Sequence, residues 1–202
     1  MGGVDRFLAT EFSKEIKKQI TEKDLKKIER TLFLQEGMSI KLSIEHFSKL
    51  HNTIKNIIRR DPSNIEKQSL QKLCIIKQNK NNNFVITFVS KKLSQTILEN
   101  FGDNETRKIL STIMGESHTT PEILDVSKLP KTSAYRKIEN LIINGLIIED
   151  KKILSQSKKI SKYVCIFEKL SIDFSNNSLE IKGIITKKQA EKSSVFKKLI
   201  IT

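Results

Sequence analysis

The sequence predicts an α+β fold, mostly helical over its first 60 residues and mixed beyond them. Three observations predict it. Apolar residues in 4–60 recur three and four positions apart, the period of an amphipathic helix. Beyond residue 70, short β-branched and aromatic runs flank polar turns, the pattern of hairpins. No apolar run approaches the roughly 18 residues of a membrane span.

The first 60 residues read as three helices. One, over 4–20, buries Leu8, Phe12, Ile16 and Ile20. The second starts at a Thr21 cap, buries Leu25, Ile28 and Leu32, and ends at Gly37. The third, over 39–60, buries Ile40, Ile44, Phe47, Leu50, Ile54 and Ile57. Asp61-Pro62-Ser63-Asn64 is a helix breaker and a candidate boundary. Leu73–Ile76 and the alternating Phe84, Ile86, Phe88 flank an Asn-rich turn, so a hairpin is expected, followed by a helix over 91–101. Residues 1–101 thus read as a helical domain carrying a β-hairpin, either a regulatory or dimerising domain or a plain structural extension of the module that follows. Residues 171–202 read as a C-terminal hairpin, turning at Ser175-Asn176-Asn177-Ser178, and a basic helix over 187–201.

The chain carries a formal charge of +14, which points to a polyanionic partner. The whole chain is biased toward Lys, Ile and Asn, so its lysines carry less meaning by number than by position. Residues 102–154 hold eight basic and eight acidic side chains. Most of these acids come early, and Lys128, Lys131, Arg136 and Lys137 then follow with none among them. Lys151, Lys152, Lys158, Lys159 and Lys162 form a second cluster. Two basic clusters on a balanced module suit a DNA-facing surface, and equally two solvated faces.

The most organised stretch is 103–170, within a domain drawn at 102–170. A helix over 105–116 carries Ile109, Leu110, Ile113 and Met114. Thr119-Thr120-Pro121-Glu122 opens a short helix over 121–127, with a threonine cap, a first-turn proline and an acid at the positive end of the dipole. Ser127-Lys128-Leu129-Pro130 breaks it. A third helix, over 131–144, buries Ala134, Ile138, Leu141 and Ile142 and stops at Gly145. Its first turn exposes Lys131, Thr132, Ser133, Tyr135 and Arg136. Two helices joined by a tight turn, with a polar outer face, match a helix-turn-helix. Leu146-Ile147-Ile148 and Tyr163–Phe167, separated by a basic loop, read as a following hairpin.

The run from Thr119 to Ile147, followed by that hairpin, resembles the winged helix-turn-helix of ArsR-like prokaryotic and archaeal transcription regulators. The resemblance covers about a third of the chain and is carried chiefly by Ser127–Gly145 and the Gly-Leu-Ile exit. It implies that Lys131, Thr132, Ser133, Tyr135 and Arg136 face a DNA major groove and that the hairpin lysines contact phosphate as a wing. Metal-sensing relatives use cysteine pairs or His/Asp clusters. Here residues 103–164 hold no cysteine and Cys165 stands alone, so no metal site is expected.

Other chemistry is not signalled. The seven glycines form no phosphate-binding loop, and no nucleophile–histidine motif or Cys-x-x-Cys occurs. His46 and His51 are five apart, off the spacing of a helical zinc pair, and His118 precedes a helix cap; all three are expected at surfaces or boundaries. Cys74 and Cys165 sit in apolar runs and read as buried thiols. The start lacks the apolar core of a secretory signal, so a cytoplasmic location is expected. The expectation is therefore a sequence-specific DNA-binding transcription regulator, not an enzyme, working as a homodimer on double-stranded DNA with no cofactor and no membrane contact. Left open are a general nucleic-acid-binding module and a winged-helix protein-interaction module, for instance within the transcription machinery.

Overall fold

A computed structural model describes residues 3–155, 158–175 and 178–201, with the side chains of Ser155 and Lys158 left out. It mixes helix and sheet throughout. Helix α1 (Gly3–Lys18) is followed by α2 (Glu22–Glu36), whose ends fall where the sequence places them. The Thr21 side chain accepts from the Asp24 amide, and Gly37 closes the helix at φ 64°.

The single helix expected over 39–60 is interrupted. It forms α3 (Ile40–Ser43), a 3-10 turn (Ile44–His46) and α4 (Phe47–Ile58). The cause lies far along the chain: the Ser194 hydroxyl donates to the Ile44 carbonyl at 3.0 Å and accepts from the Phe47 amide at 3.2 Å. A side chain inserted into the hydrogen-bond ladder breaks a helix locally. The break at Asp61-Pro62 is present, but the chain then enters α5 (Ser63–Gln71). Gln19, just past the end of α1, donates to the Ser69 hydroxyl at 2.6 Å. The turn is thus a corner inside one packed unit.

Strands β1 (Cys74–Gln78) and β2 (Phe84–Phe88) form the expected hairpin, its turn organised by the Asn79 side chain accepting from the amides of Asn81 and Asn83. Helix α6 (Lys91–Gly102) follows. Next come α7 (Asn104–Thr112), β3 (His118–Thr119), α8 (Thr120–Ser127), α9 (Lys131–Ile143) and the long hairpin of β4 (Ile147–Ser155) and β5 (Lys158–Cys165). The strands extend well past the apolar residues that signal them, and β3 is too short to show any periodicity. These strands form a sheet in the order β3-β5-β4.

The last segment does not stand apart. Strands β6 (Lys169–Ser175) and β7 (Ser178–Ile185) pair with each other, and β7 pairs with β2, giving a second sheet in the order β1-β2-β7-β6. Asn176 and Asn177, expected in the turn, lie outside the described residues. Ile181 and Ile185 are buried on this sheet. At Gly183 a Cβ would fall 2.6 Å from the Phe167 ring, so only glycine lets that ring lie against β7. In place of one basic helix, Ser193 divides the terminus into α10 (Lys187–Lys192) and α11 (Ser194–Leu199). The buried Asp5 carboxylate caps α11, accepting from the Ser193 hydroxyl, from the Ser194 amide at 2.6 Å and from the Val195 amide at 3.3 Å.

One apolar core runs from Val4 to Leu199. At its centre the rings of Phe7, Phe88 and Phe167 meet edge to face, with centroids 5.9–6.0 Å apart, tying α1, β2 and the exit of β5 together. This seam packs residues 146–167 against the N-terminal unit, at the base of the surface that α9 and the β4–β5 hairpin display.

Candidate nucleic-acid interface

Helix α8 begins with a reciprocal cap. The Thr119 amide donates to Glu122 at 2.7 Å, and the Thr119 hydroxyl accepts from the Glu122 amide. Lys128, in the left-handed region at φ 51°, ends α8, and Pro130 starts the chain into α9. Ala134, Ile138 and Leu141 bury one stripe of α9, as their spacing predicts.

The opposite stripe is solvent-facing. Lys131, Thr132, Tyr135 and Arg136 are exposed, with Tyr135 at 51%. Among the described residues, neither Lys131 nor Arg136 has an ion-pair partner. The exposed Lys128 lies at the turn that leads into this face; the acid-free run from Lys128 to Lys137 is the sequence signal for it. Farther along the helix the face continues with Glu139, Asn140 and Ile143, the last 62% exposed.

The helix is anchored at its far end. Gly145 has φ 75°, and a Cβ there would fall 2.5 Å from the Phe7 amide nitrogen and 2.7 Å from the Gly3 carbonyl. Arg6 donates to the Ile142 carbonyl at 3.3 Å while paired with Glu45 at 2.9 Å.

Two residues expected on the outer face turn elsewhere. Ser133 is half-buried, its hydroxyl donating to Glu105 at 2.9 Å. Lys137 lies 2.6 Å from Asp103 and 3.5 Å from Glu105. Both sit on the flank of α9 that meets α7, one residue on and so about 100° around from Thr132 and Arg136. The acids of α7 claim them for packing. The Lys137 hydrogen bond holds the Asp103 carboxyl well below the usual carboxylate range, and the same bond raises Lys137.

The β4–β5 hairpin supplies a second basic group. Lys151 and Lys159 are exposed with no ion-pair partner among the described residues. Lys152 pairs with Glu149 at 3.6 Å, and Lys162 with Glu122 at 3.4 Å. Lys162 thus braces the cap of α8, whose Glu122 is held ionised chiefly by the Thr119 amide. Lys158 belongs to β5, and its side chain lies outside the described residues. The ladder register shifts between Glu149 and Lys151, a bulge of the kind that bends a strand. Asp150 at that bulge accepts from Lys188 at 2.8 Å and Lys192 at 3.3 Å, which lowers its pKa and fixes the hairpin base to α10.

His46, at the junction of the 3-10 turn and α4, and His118, just before the α8 cap, lie at boundaries as expected, whereas His51 does not. His51 is buried, and its Nδ1 lies 2.9 Å from the fully buried Glu66. Burial raises the Glu66 pKa. This pair ties α4 to α5 inside the helical unit, and five-residue spacing on its own gave no hint of it. His118 pairs opposite Tyr163 in the β3–β5 ladder. No group of three His, Cys, Asp or Glu side chains suited to a metal occurs among the described residues. Both cysteines are buried and unpaired, with thiol pKa values pushed up to about 12 by burial. Among the described residues, no helix is long and apolar enough to cross a membrane.

Comparison with known protein families, curated proteins and solved structures finds no match.

Proposed function

We propose that residues 103–165 form a winged helix-turn-helix that binds double-stranded DNA, and that the protein regulates transcription. Helix α9 would enter the major groove, with Lys131, Thr132, Tyr135 and Arg136 against base edges and phosphates. The β4–β5 hairpin would act as the wing, with Lys151 and Lys159 on the backbone. The observation that carries the reading is the exposed face of α9: two cations and two hydroxyl-bearing side chains, with neither cation ion-paired among the described residues, opposite the buried Ala134, Ile138 and Leu141. The order of helices and strands, and the sheet order β3-β5-β4, support it. Selection of duplexes from a random pool, followed by fluorescence anisotropy on an enriched duplex and its scrambled version, tests it. Preferential binding of the enriched duplex is expected; absence of affinity for any duplex at low salt would overturn it.

A second reading is favoured by a different observation. Val126 on α8 is 59% exposed, Tyr135 and Ile143 on α9 also face solvent, and Asp125 and Glu139 are exposed on the same two helices. Such a mixed surface suits a protein partner, with the winged helix as a docking platform. Charge reversal at Lys131 and Arg136 separates the two, since it abolishes DNA binding and spares docking through the apolar residues.

A further inference from the structure

Strand β6 is an outer strand of its sheet: β7 covers one side, and no strand among the described residues covers the other. Its ladder with β7 runs from Lys169↔Ile184 to Ser175↔Ser178 without a bulge, while the pairing of β7 with β2 stops at Lys182. The hairpin therefore projects past the sheet. Leu170, Ile172 and Phe174 alternate onto one face of β6, and Leu179 stands opposite Phe174. Phe174 is 74% exposed. An apolar, regular, proline-free edge is what folded proteins ordinarily shield, because it templates pairing with another chain.

The other face of β6 carries a self-complementary charge pattern. Lys169 and Asp173 lie on either side of Ser171, two positions away in each direction. Neither has an ion-pair partner among the described residues. Asp173 instead faces Glu180 across the hairpin, and Glu180 already holds Lys182 at 2.6 Å. Like charges placed opposite one another destabilise a strand pair.

We propose that β6 pairs antiparallel with β6 of a second copy of this chain, about a two-fold axis at Ser171. This register sets Lys169 of each copy opposite Asp173 of the other and relieves the Asp173–Glu180 repulsion. On the apolar face, Leu170 of each copy meets Ile172 of the other, and Phe174 comes within diagonal reach of Leu170. The interface is isologous and closes at two subunits. The next register that keeps the faces aligned sets Lys169 against Ser175 and Asp173 against Ser171, with both ion pairs lost. The acids Asp173 and Glu180, side by side on the face opposite Phe174, disfavour phosphate backbones and anionic bilayers as occupants. The inference stands on β6 and does not rest on the DNA reading.

Sedimentation equilibrium on the full chain tests it. The unaltered protein is expected to dimerise. Asp173→Lys sets like charges opposite and should weaken the dimer about tenfold or more. The double variant Lys169→Asp/Asp173→Lys restores opposite charges and should regain it. Both substituted side chains face solvent, and circular dichroism checks that each variant is folded. A protein monomeric at every concentration, a dimer indifferent to Asp173→Lys, or a double variant that stays monomeric would each overturn the proposal.

Discussion

The ammonium of Lys137 lies 2.6 Å from the carboxylate of Asp103, the residue whose side chain also caps α7 by accepting from the Thr106 amide at 2.8 Å. One acid thus ends one helix and holds the next. With Ser133 on Glu105, this pair orients α9 so that Thr132 and Arg136 point outward.

The Asp103 pKa is depressed in the fold, so its charged form is favoured there. Its stabilisation is present above the unfolded carboxyl pKa of about 4 and is lost as pH falls through the lower folded value. Asp103→Asn keeps the cap and removes the ion pair. The melting temperature of the variant should lie below that of the unaltered protein at pH 7, and the gap should begin to narrow below about pH 4 and close only as pH falls through the lower folded value. Melting curves at a series of pH values check this.

The wing lysines should act without regard to sequence. Lys151→Ala and Lys159→Ala are expected to weaken binding to enriched and scrambled duplexes alike. Each should reduce the slope of log affinity against log salt by roughly one unit. Lys162→Ala, which removes a brace of the α8 cap, should lower thermal stability with little change in that slope. Anisotropy titrations over a range of salt concentrations measure both effects.

Asp5 is buried and accepts from two α11 amides and the Ser193 hydroxyl, with the Ser194 hydroxyl oxygen 2.9 Å away. Asp5→Ala should cost about 1–3 kcal/mol in urea unfolding, since it leaves buried donors without an acceptor. Because Ser194 also interrupts the helix between α3 and α4, the loss should appear as faster amide exchange around Ile44–Phe47 as well as in α11.

Gly145→Ala meets both a positive φ and a backbone collision with Phe7 and Gly3. It should destabilise by more than the roughly 1 kcal/mol typical of glycine replacement, because α1 must move. A urea midpoint shift well beyond that of Gly37→Ala is the expected result, since nothing lies within 4 Å of a Cβ built at Gly37.

Most of the helical fold was legible because local signals agree with the tertiary outcome. Thr21, Gly37, Thr119 and Gly145 mark helix ends by chemistry that acts over a few residues. What was hidden depends on distant partners. Ser194 breaks a helix 150 residues before it, and no periodicity carries that information. The β2–β7 pairing joins segments that look separate, because strand alternation tells which face is buried and not which strand lies alongside. At the interface, helical spacing put Lys131, Thr132, Tyr135 and Arg136 outside. It could not tell that Ser133 and Lys137, also polar, are drawn to the acids of α7.

The most direct measurement compares Arg136→Ala with Ser133→Ala on a duplex enriched from a random pool. If the exposed face of α9 reads DNA, Arg136→Ala should cost about 1–3 kcal/mol of affinity for that duplex and blunt its preference over the scrambled sequence, while Ser133→Ala changes neither appreciably. Equal affinity of the Arg136 variant and the unaltered protein for both duplexes would contradict the account.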